Sequence, residues 1–128
     1  MEDMLPETDV INQADQAEAL GALLREHNGQ DVSVLDLRTM SDWTDFFIVV
    51  TVTSKIHMDG LERCIMEFCR EKDIPVLGKS RKTEDDEWRL IDLGSYIVHL
   101  MNKRARDFYE LERLWQRSQS TNTTNNVT

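Results

Sequence analysis

The chain has 128 residues and a formal net charge of −9, from 24 carboxylates against 15 Lys and Arg. That length suits one domain with its own core, and the acid excess argues against nucleic acid as the main partner, because neutralising phosphate needs a basic surface. It permits a basic protein partner instead. The longest apolar run, "FFIVVTV" from Phe46 to Val52, is far too short to span a bilayer, and "MEDMLPETD" is acidic where an export signal is basic and then apolar. The expectation is a cytoplasmic protein with no membrane partner.

Residues 1–9 read as an acidic, flexible arm, residues 10–117 as the domain, and residues 118–128 as a disordered polar tail. From Val10 the spacing Val10, Ala14, Ala17, Leu20, Leu24 predicts an amphipathic helix, stopped at Asn28-Gly29. "VSVLDL" (Val32 to Leu37) then reads as a strand and "SDWTD" (Ser41 to Asp45) as a polar turn. "FFIVVTV" is apolar on both faces, as a central strand flanked by helices should be.

Ser54 is placed to cap a helix over Lys55 to Lys72 whose inner stripe is Met58, Leu61, Ile65, Phe68 and Cys69. "IPVLG" (Ile74 to Gly78) is expected to be a short strand, closing a βαβ unit over Ile48 to Val76. "KSRKTEDDE" reads as an exposed charged loop. Asn102 is expected to cap a final helix, "KRARDFYELERLWQR". The fold class is α/β: one mixed sheet of about five strands flanked by helices.

"EWRLIDLGSYIVHL" (Glu87 to Leu100) predicts a hairpin turning at Gly94-Ser95, with Leu93 opposite Tyr96. Alternation then puts Arg89, Ile91, Leu93, Tyr96, Val98 and Leu100 on one face. Trp88, Leu90, Asp92, Ile97, His99 and Met101 fall on the other. Both faces are largely apolar, and one suffices for a core. Trp88, Leu90 and Ile97, with Leu93 and Tyr96 at the turn, are of the residue types that anchor interfaces, or else core residues beneath helices.

Enzyme chemistry finds little support. "GKS" at Gly78 to Ser80 lacks the earlier glycine and following helix of a phosphate loop. His27, His57 and His99 lack metal-ligand spacing, and Cys64 and Cys69 fall about 140° apart around a helix, too far to bridge. Asp36, Asp42 and Asp45 are the carboxylates that would gather magnesium in a nucleotidyltransferase-like enzyme, but no phosphate cradle accompanies them. Neither a cofactor nor a metal is expected.

The stretches "TDFFIVVTVTSKIHM", "PVLG", "EWRLIDLGSYIVHLM" and "FYELERLW" resemble the ribosomal silencing factor family, also called Iojap-like, over roughly Val10 to Trp115. The matching motifs fall on Trp88, Leu90, Asp92, Gly94, Val98, His99, Tyr109, Leu111, Glu112, Leu114 and Trp115. The resemblance implies a fold akin to nucleotidyltransferases without their catalytic set. It further implies binding to the large ribosomal subunit through ribosomal protein fourteen, which obstructs the small subunit and represses translation under nutrient limitation. The contacts it implies centre on Trp88, Asp92 and Leu93, with Leu90 beside them; some members also suggest a homodimer, so a homodimeric adaptor is the other alternative. One departure falls at a strand-to-helix turn, where the family's "Thr-Gly-Thr-Ser" is here Thr51-Val52-Thr53-Ser54. Valine does not readily adopt a positive φ.

Overall fold

The computed structural model describes the backbone of residues 5–113 and the side chains of residues 14–113. Helix α1 (Leu5–Glu26) leads into strands β1 (Gln30–Asp36) and β2 (Phe46–Val52), then helix α2 (Lys55–Lys72). Strands β3 (Gly78–Arg81), β4 (Trp88–Asp92) and β5 (Tyr96–Asn102) follow, and α3 (Lys103–Tyr109) closes the order. The sheet runs β1-β2-β5-β4-β3. Strand β2 lies parallel to β5, and every other pair is antiparallel. This is the expected single mixed α/β sheet.

Local chemistry explains most boundaries. Helix α1 buries Ala17, Leu20 and Leu24 at the spacing of one helical face, and begins at Leu5 rather than Val10. It stops where predicted, with Asn28 left-handed (φ 73°) and the Gly29 amide donating to Leu24 O at 2.7 Å. A Cβ on Gly29 would come within 2.7 Å of that carbonyl and 2.9 Å of Val50, so only glycine lets the helix end lie so close to β2. Ser54 caps α2 by accepting the His57 amide hydrogen bond, and the predicted stripe from Met58 to Cys69 is buried.

Gly60 has open space where a side chain would stand. Gly60→Ala is therefore expected to stabilise the protein by about 0.5–1 kcal/mol, read as a rise in Tm of a few degrees.

Two expectations are corrected. Ile74 to Leu77 is not a strand; the strand starts at Gly78, the last residue of the expected one, and runs through Lys79–Arg81, which were expected to open a charged loop. Pro75 has no N–H to give a ladder, whereas Gly78–Arg81 pairs with Asp92–Arg89 as a short, fully exposed edge. Its charges, Lys79 and Arg81, suit an edge that must not recruit another strand. The βαβ unit expected over Ile48 to Val76 is accordingly wider, because β2's parallel partner is β5 and the crossover includes β3 and β4.

The final helix is also shorter than expected. It breaks after Tyr109 because Glu110 turns left-handed (φ 50°) with its amide on Arg106 O, and helix resumes at 111–113, the last of the described residues. A buried ionic network accompanies the break: Arg106 reaches Glu112, Thr51 and Ser33, drawing the chain back across β1 and β2. Trp115 and the expected tail lie outside the described residues.

Candidate functional site: a half-covered aromatic sheet face

The hairpin has the predicted register, with Trp88 opposite Met101, Leu90 opposite His99 and Asp92 opposite Ile97. Gly94 takes a positive φ of 84°, and its amide donates to Asp92 Oδ1 at 2.8 Å. One sheet face is sealed by α1 and α2 in the main core, which holds Ile91, Leu93, Tyr96, Val98 and Leu100. The second face has a smaller cluster of Leu35, Leu37, Val49, Met101 and Ala105, with Phe47, Trp88 and Leu111 packed against it. Helix α3 is seven residues long and covers the Met101 end of that face; the hairpin-turn end extends away from it.

The expected site residues are thereby divided. Trp88, Leu90 and Asp92 lie on the half-covered face, each partly exposed. Leu93 and Tyr96 are 4% and 3% exposed on the opposite face, inside the main core. The cross-turn pairing that places them also turns them inward, since neighbours along a strand point to opposite faces. Tyr96 OH donates to Gln16 Oε1 at 2.8 Å, and burial pushes its phenol up to about 12.

Six rings cross the half-covered face in one row. Centroids are 6.3 Å apart from Trp43 to Phe47, 4.4 Å from Phe47 to His99 and 5.8 Å from His99 to Trp88. The row continues 4.6 Å from Trp88 to Tyr109 and 4.9 Å from Tyr109 to Phe108. Its middle is buried and its ends are open: His99 is 3% exposed, Trp43 68%, Tyr109 40% and Phe108 76%. Reading "SDWTD" as a polar turn missed Trp43. The available signal was Phe47, which alternation in β2 places on the same face as Val49 and Thr51, within reach of the preceding loop.

His99 holds the centre. Its Nδ1 accepts the Trp88 indole N–H at 3.0 Å, which puts the imidazole proton on Nε2, an atom with no protein partner among the described residues. Burial, with Lys82 nearby, lowers its pKa to about 4. An unfolded histidine takes a proton near pH 6.5 while the folded one resists until about 4, so stability falls as pH drops through that window. The loss is about 3 kcal/mol. Urea titrations between about pH 7 and 4.5 should show it, and His99→Asn, which keeps an acceptor near Nδ1, should flatten it.

The carboxylates that would gather a metal lie apart from the rings' centre. Asp36 is clamped by Arg38 at 2.9 and 2.7 Å, a pairing that holds its carboxyl below the usual range, and Asp42 is exposed. Among the described residues no group of three or more His, Cys, Asp or Glu is arranged to hold a metal ion. What the face offers is apolar area for contact, the property of a binding module.

The family model described as "Ribosomal silencing factor during starvation" matches residues 10–128. A ribosomal silencing factor of Treponema pallidum (strain Nichols) is 38% identical over 101 residues, 78% of this chain and 89% of that protein. The mouse "mitochondrial assembly of ribosomal large subunit protein 1" is 31% identical over 102 residues, 75% of this chain but 43% of the longer mouse protein. The crystal structure of a Chromobacterium violaceum protein superposes with a TM-score of 0.70 at 27% identity, covering 82% of this chain and 84% of that one. The chain belongs to the ribosomal silencing factor family. Its departure at Val52 is absorbed by the fold, for Val52 is buried at the end of β2 without a positive φ.

Proposed function

We propose that the chain binds the large ribosomal subunit at its ribosomal protein fourteen, through the face centred on Trp88 and Leu90. The bound factor then excludes the small subunit. Activity is binding free energy alone, since occlusion makes and breaks no bond, and silencing follows factor concentration over its dissociation constant. The observation that carries this reading is the ring row on a sheet face that α3 leaves half open. The net charge of −9 suits a basic ribosomal protein.

In this reading Trp88 and Leu90 touch the partner. Leu93 and Tyr96 act from the core by fixing the hairpin, and Asp92 shapes its turn. Purified subunits mixed with the protein and separated on a density gradient test it. Saturating protein is expected to keep the subunits apart, and unchanged joining defeats the proposal.

A further inference from the structure

We infer that the docking face continues past the hairpin onto the loop before β2, where Trp43 is a second anchor for a basic protein surface. This rests on the function proposed above and extends the contact to a loop that the hairpin argument leaves out. Trp43 is 68% exposed, a large apolar area for water to cover unless a partner covers it. Its ring packs edge-on against Phe47, which in turn meets His99, so it is continuous with the hairpin patch.

The loop is also held in place. Ser41 Oγ accepts from the amides of Trp43 and Thr44 at 3.2 and 3.3 Å. Thr44, 2% exposed, donates its hydroxyl to Gly94 O at 3.0 Å, and the amides of Asp45 and Phe46 both donate to Ser95 O at 3.0 Å. These bonds tie the loop to the hairpin turn itself. A rigidly presented indole loses little entropy on binding, which is why such residues concentrate interface energy.

Charge selects the partner. Asp42 and Asp45 flank Trp43 in the loop, Asp92 stands at the turn tied to it, and the nearby cation Arg38 is paired to Asp36 while lying over Phe46. Carboxylates around an apolar anchor repel phosphate and attract Lys and Arg, so the occupant is a basic protein surface with an apolar recess rather than exposed ribosomal RNA.

The test uses the full chain and purified large subunits, with Kd measured by co-sedimentation for wild type, Trp43→Ala, Trp43→Phe, Asp42→Lys and Leu90→Glu. Trp43→Ala should raise Kd about tenfold at unchanged Tm, Trp43→Phe less, and Asp42→Lys a few-fold with a weaker salt dependence. Wild-type affinity in Trp43→Ala alongside lost binding in Leu90→Glu would overturn the extension and leave the proposed function standing. Wild-type affinity in both variants, or no binding by wild type, removes the proposed face and this inference with it. Light scattering that finds a dimer dissolved by Trp43→Ala, with subunit affinity unchanged, assigns the indole to a second copy of the chain and also overturns the inference.

Discussion

Truncating Trp88 to alanine should raise the Kd for the large subunit by about thirtyfold or more, the effect of losing 2–4 kcal/mol at an interface anchor. The same substitution should also weaken the fold. It leaves His99 Nδ1 without its indole donor, removes the ring under Tyr109 and opens space beside Leu35, Val49 and Met101. Large-to-small changes at such sites cost about 3 kcal/mol. Binding and thermal unfolding must therefore be read together. Leu90→Glu separates the two effects, because Leu90 sits on the half-covered face, partly exposed, opposite His99. It should lose subunit binding while its Tm stays within a few degrees of wild type. A Leu90→Glu protein that still blocks subunit joining would move the contact surface elsewhere on the molecule.

The second large effect concerns stability. Arg89 sits on the helix-covered face among Asp86, Asp59 and Glu62, with Nη2 toward Asp86 and Nη1 at 2.8 and 2.9 Å from the other two. The Asp86 side chain is 7% exposed and the Arg89 side chain 11%. Arg89→Met should cost about 2–3 kcal/mol in urea unfolding, because Asp86 loses its hydrogen-bonded partner and keeps only the longer contacts to Arg81 at 3.7 Å and Lys55 at 3.9 Å. Part of that loss should return in the double variant Arg89→Met, Asp86→Asn. Asparagine also tolerates the left-handed backbone at position 86, where φ is 59°. The Asp86 carboxyl is held below its usual pKa by the Arg89 hydrogen bonds first and nearby positive charge after. Its stabilisation is therefore present above the unfolded carboxylate pKa and is lost as pH falls below it. That window lies under the one assigned to His99, so the two groups separate in a pH series. If Arg89→Met unfolds at the wild-type urea midpoint, the three carboxylates are surface neighbours rather than a neutralised cluster.

The hairpin shows how far local pattern reaches. A glycine and a serine between alternating apolar runs specify the turn, the turn specifies the register, and the register assigns every side chain to a face. The caps at Ser54 and Asn102 and the stop at Asn28-Gly29 were legible for the same reason, since each is settled by bonds within one turn of chain. Trp88, Leu90 and Asp92 could therefore be named together before any coordinates. Leu93 was joined to them by the family resemblance and Tyr96 by its place at the turn, although alternation already assigned both to the other side.

What tertiary structure decided is coverage and pairing. Strand β3 exists because β4 offers an edge to pair with, a long-range fact that "GKSR" does not encode by itself. Helix α3 ends early at a left-handed Glu110, beside which Arg106 finds the nearby Glu112 together with Thr51 and Ser33 from distant parts of the chain. Among the described residues, that short helix covers only one end of the ring row. The exposure of Trp43 depends on hydrogen bonds between its loop and a hairpin turn about fifty residues away. Periodicity tells a strand which side chains share a face, through the fixed geometry of the backbone. Which face stays open depends on how far its neighbours extend, and that is settled by contacts between segments remote in sequence.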